Sequence, residues 1–209
     1  MLPAVDHLVY AVPDLDGGIE ALAQQLGVRP EFGGKHTGRG THNALLSLGR
    51  GKYLEVIAPD PDQPPPTDAR PFGLDNLHEP GLVAWAIAVK DINAQAQQAR
   101  EAGYDPGAVL AMSRRLPDSG ELRWHLTLRL AGMRGGLVPF LIEWESAENH
   151  PSRTAPGGCA LVDLTAEHPR PDEIARQLAA MGVDLPLAEA PRAALIATIE
   201  GPNGTVVLT

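Results

Sequence analysis

The chain has 209 residues, 26 of them acidic and 17 basic, for a formal charge of −9 with histidine neutral. An acidic chain is a poor partner for DNA or RNA, which need clustered Lys and Arg against phosphate, and no apolar run reaches the ~18 residues of a membrane-spanning helix. The one cysteine, Cys159, excludes an internal disulfide and a cysteine-rich zinc site.

Residues 4–12 form an apolar run that predicts a buried strand, interrupted by Asp6 and His7. Asp14 follows in the place of a helix N-cap, then Ile19, Leu22, Ala23 and Leu26 at helical spacing, and Gly27 as the stop. Residues 33–43 combine glycines with Lys35, His36, Arg39, Thr41 and Asn43. Such a stretch suits a loop over an anionic or carbonyl-bearing ligand, or equally a solvated β-turn, but it lacks the Gly-Lys-Ser/Thr order of a nucleotide loop. Strands are expected at 43–48 and 52–58, around Gly49, Arg50 and Gly51. Residues 59–80 are proline-rich and include Phe72, Gly73 and Leu74. They read as an ordered connection covering an opening or as a plain linker.

The pattern then repeats. Residues 82–89 are a second apolar strand, Asp91 a second cap, Ala96 and Ala99 a second helix face, and Gly103 a second stop. Ala11-Val12-Pro13-Asp14-Leu15 lies over Ala88-Val89-Lys90-Asp91-Ile92. Strands are expected at 122–130 and 137–144 around a glycine-rich turn at 132–136, and Tyr53-Leu54-Glu55-Val56-Ile57 corresponds to Leu141-Ile142-Glu143-Trp144-Glu145. A third, shorter echo closes the chain. It has a strand at 159–163, a helix at 171–181 with Ile174, Leu178 and Met181 on one face, and a hairpin at 194–208 turning at Gly201-Pro202-Asn203-Gly204. This hairpin is expected to add edge strands to the sheet of the second copy.

Two strand-helix-strand-strand-strand units, each with a strand before Asp and a closing Leu/Ile-Glu, resemble the vicinal oxygen chelate superfamily. Within it the chain is most similar to the glyoxalase-like domain family. The stretches that carry the likeness are residues 6–15, 33–43, 53–55, 115–124 and 138–144, the last followed by His150 and Pro151. The resemblance implies an α+β fold of two βαβββ modules in a cupped, barrel-like mixed sheet, with a C-terminal strand-helix-hairpin extension. Boundaries are expected at 1–58 for the first module, 59–80 for the connection, 81–155 for the second module and 156–209 for an extension packed on that second module.

The resemblance also implies a divalent metal where the half-barrels meet, with ligand places at His7, Glu55, Ala84 and Glu143. Alanine cannot ligate. The set His7, Glu55 and Glu143 is therefore expected either to hold Zn, Mn, Fe or Ni with water in the open positions or to hold no metal. His125 is the one substitute histidine, and it either faces the cavity or faces solvent opposite Trp124, Leu126 and Leu128. Lys35, His36, Thr41, Asn43, Arg115, Trp124 and His125 are candidate substrate contacts, with Arg115 suited to a carboxylate and Trp124 to a flat apolar group. Trp85 and Trp144 are expected in the core, and Cys159 buried and inert.

Glu55 and Glu143 are the candidate catalytic carboxylates. Three functions follow from this set. The first is a metal-dependent lyase or isomerase on a small oxygenated metabolite, anionic or neutral. The second is a non-catalytic protein that sequesters a small molecule. The third is a metal-free acid–base enzyme built on the glutamates. A cytoplasmic monomer or homodimer with a small-molecule partner is expected, with no nucleic acid, no membrane and, from its first residues, no signal peptide.

Overall fold

The computed structural model describes residues 4–115, 121–128, 136–146 and 148–209, and of Arg114 and Arg115 the backbone only. The Arg115 side chain, the rest of its motif up to Gly120, the strand end at 129–130 and the glycine-rich turn at 132–135 lie outside the described residues.

The first unit runs β1 (Val5–Ala11), α1 (Leu15–Leu26), β2 (Glu31–His36), β3 (Thr41–Ser47) and β4 (Tyr53–Pro59). A short 3-10 helix, Pro71–Asn76, interrupts the proline-rich connection. The second unit runs β5 (Gly81–Ala88), α2 (Ile92–Glu101), β6 (Ala108–Arg115), β7 (Glu121–Leu128) and β8 (Phe140–Trp144). After it come α3 (Pro151–Thr154), β9 (Ala160–His168), α4 (Pro171–Ala180), β10 (Leu187–Glu189), β11 (Ala194–Gly201) and β12 (Gly204–Leu208).

The caps act as their residue types dictate. Asp14 accepts from the Gly17 N–H and Asp91 from the Ala94 N–H, each satisfying an orphan donor of a first turn. Gly27 ends α1 at φ 78°, a left-handed conformation that favours glycine. Because both aspartates precede equivalent helices, the two units are offset by 91 less 14, or 77, positions.

The two units share one eight-stranded mixed sheet in the order β2-β3-β4-β1-β5-β8-β7-β6. Its centre is the antiparallel pairing of β1 with β5, while β1–β4 and β5–β8 are parallel. The end strands β2 and β6 approach each other, so the sheet curls into a near-barrel. One face of the sheet packs on the helices and carries Leu8, Leu54, Val56, Trp85 and Leu141 in a continuous core. The other face carries Val9, Ile57, Ala84, Ala86, Trp124, Phe140 and Ile142, and lines the hollow of the curl. Trp85 is fully buried and donates to the Leu137 carbonyl at 2.9 Å, while Trp144 reaches the hollow instead of the core.

Two local expectations are corrected. Residues 33–43 are not a loop but most of a hairpin, β2–β3, closed by a turn with Gly38 and Gly40 at positive φ. The glycines that suggested a loop serve the turn and a bulge between Phe32 and Gly34. The final hairpin does not extend the second unit's sheet. It joins a separate four-stranded sheet, β10-β9-β11-β12. That sheet touches both units. It rests on α1 as well as near β5, and the Asn203 amide donates to the Gln24 carbonyl at 2.9 Å.

Gly201 shows how close that packing is. A Cβ there would stand 2.3 Å from the Leu26 carbonyl oxygen, a backbone atom that cannot yield cheaply. Overpacking of this kind costs about 1–3 kcal/mol. Gly201→Ala is therefore expected to lower the melting temperature by several degrees, measured by calorimetry, with the substitution Gly204→Ala straining only its own left-handed φ of 116°.

Candidate active site

The hollow holds a cavity of about 100 Å³. Its wall is mostly hydrocarbon and aromatic: Leu45, Ile57, Leu122, Trp124, Leu126, Phe140, Ile142 and Trp144. Ala69, Pro71 and Phe72 from the proline-rich connection complete it, so that connection covers the opening. Arg70 fastens this cover by donating to the Gly40 carbonyl at 2.8 Å, with Asp75 as its ionic partner.

Polar groups converge at one end, and the strand register explains why. In the row β2-β3-β4-β1, Val9 pairs with Glu55, Leu45 with Glu55, and Asn43 with Gly34. His7, Glu55, Asn43 and His36 therefore lie on one diagonal, one residue from each of four adjacent strands. Diagonal neighbours are within reach of side chains this long. The Asn43 amide donates to Glu55 Oε1 at 2.6 Å. His7 Nε2 stands 3.9 Å from Glu55 Oε2, and His36 Nε2 3.7 Å from Glu55 Oε1. The other nitrogen of His36 meets the Thr41 hydroxyl at 2.9 Å. Asn43 Oδ1 is buried without a hydrogen-bond partner. The Asn43 amide is thus committed to the carboxylate at the expense of its own oxygen.

Asp6 is the residue that sequence reasoning missed. Successive strand residues face opposite ways, so Asp6 should point away from His7. A bulge in β1 breaks this rule. Val5 pairs with Ile87 and His7 with Ala86, leaving Asp6 as the extra residue. Its carboxylate swings beside His7 and accepts from His7 Nδ1 at 2.7 Å, His150 Nε2 at 3.0 Å and Trp144 Nε1 at 3.0 Å. Burial pushes the Asp6 carboxyl up, but the hydrogen bonds from His150 and His7 and their charges outweigh it and hold the group well below the usual carboxylate range. An anionic Asp6 holds a proton on His7 Nδ1 and aims Nε2 into the cavity. Tyr53 stacks on the His7 ring at 4.6 Å and locks its plane. An acid inside an apolar opening strand was the available signal in the sequence, together with the His150-Pro151 pair.

The structure separates the remaining candidates. His7, Glu55, His36, Thr41, Asn43 and Trp124 all line the cavity. Glu143 does not. It lies on the helix side of β8, where its Oε2 accepts from the Ile92 N–H at 2.8 Å and so caps the first turn of α2. His125 is its cross-strand partner on that same side, and Trp124, Leu126 and Leu128 take the cavity face. Lys35 is outside the cavity and bound to Asp62 at 2.8 Å and Asp60 at 3.2 Å.

The 77-residue offset gives the reason for Glu143. Val9 pairs with Glu55, and the equivalent of Val9, Ala86, pairs with Phe140. Phe140 is therefore the true counterpart of Glu55, and the similar Leu54-Glu55 and Ile142-Glu143 pairs match the two strands out of phase. The counterpart of His7 is Ala84 by the same offset. The donor set expected for a metal thus reduces to His7 and Glu55 facing an alanine and a phenylalanine. Among the described residues no group of three or more His, Cys, Asp or Glu side chains is disposed to hold a metal ion. These residues do not fit the metal implied by the resemblance.

A duplicated βαβββ sheet, curled around a cavity with its polar residues on the opening and closing strands of one half, defines a protein of the vicinal oxygen chelate type. Residues 5–182 match the model of the glyoxalase-like domain. The chain belongs to that family, as its motifs led one to expect. A hypothetical protein from Staphylococcus aureus shares the fold, with a TM-score of 0.65 at 15% identity over 99% of this chain and 84% of that one. Methylmalonyl-CoA epimerase from Mycobacterium tuberculosis matches at TM-score 0.45 and 24% identity over 70% of this chain and 89% of its own. The Streptomyces coelicolor epimerase matches at 0.46 and 21% over 70% and 100%. No curated protein matches the chain. Among the described residues no helix is long and apolar enough to cross a membrane.

Proposed function

We propose that the protein is an isomerase or lyase that moves a proton at a carbon beside a carbonyl group, using its own side chains, on a small and largely apolar molecule. The observation that carries this reading is the pair His7 Nε2 and Glu55 Oε2, 3.9 Å apart at the polar end of a hydrocarbon-walled cavity. A molecule placed there meets two proton-exchanging groups at once and little water.

Glu55 acts as base. Asn43 holds Oε1, which leaves Oε2 to take the proton from carbon. Whenever Nε2 carries a proton, His7, its Nδ1–H held by Asp6, donates a hydrogen bond from Nε2 to the carbonyl oxygen as negative charge develops there. Glu55 then returns its proton to the same carbon or a neighbouring one, which completes an isomerisation. Expulsion of a leaving group from the neighbouring carbon completes an elimination instead. Trp124, Trp144 and Phe140 hold the apolar remainder of the substrate.

The test is exchange of carbon-bound hydrogen for deuterium. A panel of small ketones, aldehydes and 2-oxo acids with branched or aromatic tails is incubated in D2O with the protein and followed by NMR. At least one member is expected to gain deuterium beside its carbonyl at a rate proportional to protein concentration. The apolar wall also favours a second reading, capture of a small molecule without turnover. Tight binding with no exchange, unchanged in the substitution Glu55→Gln, would support that reading over the first.

A further inference from the structure

The cavity wall contains one arginine and no lysine among the described residues: Arg39, at the tip of the β2–β3 hairpin. It is half-buried, and no described residue gives it a hydrogen bond or an ion pair through its side chain. Its neighbours differ. Lys35 is neutralised by Asp60 and Asp62, and Arg70 by Asp75. Those cations serve the hairpin and the cover, and have nothing left for a ligand. A guanidinium withdrawn from water without an anion is costly, and its fork of donors matches a carboxylate. The hairpin tip that carries Arg39 is also held in place. The Arg39 N–H donates to the His36 carbonyl at 3.0 Å, and a Cβ at Gly40 would stand 2.8 Å from Pro66.

We infer that Arg39 is the specificity residue for a carboxylate on the ligand, so that the cavity takes small carboxylic acids with an apolar or aromatic body. This deepens the proposed function and rests on it for the carbonyl end only. The acid group meets Arg39, the carbonyl region meets His7 and Glu55, and the body lies against Trp124 and Phe140. Of the cations expected from the sequence to orient an anionic group, Lys35 is held by Asp60 and Asp62, and the Arg115 side chain lies outside the described residues.

Phenylacetate, 3-phenylpropionate and 4-phenylbutyrate, each beside its primary amide, are the probes, with affinity read by calorimetric titration. Wild type is expected to bind at least one acid 10-fold or more tighter than its amide. In Arg39→Gln the acid should fall to the level of the amide, with the amide unchanged. In Glu55→Gln the preference for acid should persist while deuterium exchange is lost. No acid bound better than its amide by wild type, or a preference surviving in Arg39→Gln, overturns the inference. Acid preference without exchange in wild type would leave Arg39 in place and remove the enzyme reading, so the two fail separately.

Discussion

Glu55→Gln is expected to lower the exchange rate at least 100-fold while leaving the fold and ligand affinity near wild type. The amide keeps the size of the carboxylate and removes only its capacity to take a proton. General-base residues contribute about 10²–10⁴-fold, and no other carboxylate among the described residues lines the cavity. Glu143→Gln provides the contrast. That side chain caps α2 and does not line the cavity, so its loss is expected to cost stability and little rate. Equal rate losses in the two variants would mean that the cavity geometry does not select between them.

Asp6→Asn is expected to produce the largest loss of stability of any single substitution near the site. Asp6 is 3% exposed and accepts from three donors on three different segments, β1, the end of β8 and the turn before α3. Removing one partner of a buried charged network typically costs about 3–5 kcal/mol. For a chain of this size that is a fall of roughly 10 °C in melting temperature. The pH dependence identifies the cause. Asp6 has a folded-state pKa held below its ordinary 3.8. Its contribution is therefore fully present above that value and is lost as pH falls below it toward the folded value. Wild type should lose stability on acidification below about pH 4 more steeply than Asp6→Asn, as followed by urea unfolding at stepped pH. Parallel curves would deny Asp6 its charge-bearing role.

Much of the fold was legible because its signals are local. Asp14, Gly27 and Asp91 cap helices for reasons written in their own side chains, and the repeat of strand, cap and helix exposed the duplication. The phase of a strand is less legible. Glu55 and Glu143 have similar neighbours, yet one looks into the cavity and the other toward α2. Which face is inward depends on pairing with β1 or β5, a long-range fact. Asp6 illustrates the same limit. Alternation turns it away from His7, and only the bulge against β5 brings the two together. Lys35 and Arg39 are similar as letters, and what separates them is Asp60 and Asp62 folding back on Lys35 alone.

His7 and Glu55 are proposed to exchange protons with the substrate through their own atoms, because of the four expected ligand places one is Ala84 and Glu143 faces α2, with Phe140 in the register of Glu55. The most direct measurement is the deuterium-exchange rate of protein stripped exhaustively with a chelator, with its metal content verified by elemental analysis. An undiminished rate is expected in the stripped wild type and none in the stripped Glu55→Gln. Loss of exchange on stripping, with recovery when Zn, Mn, Fe or Ni is returned, would contradict the proposal.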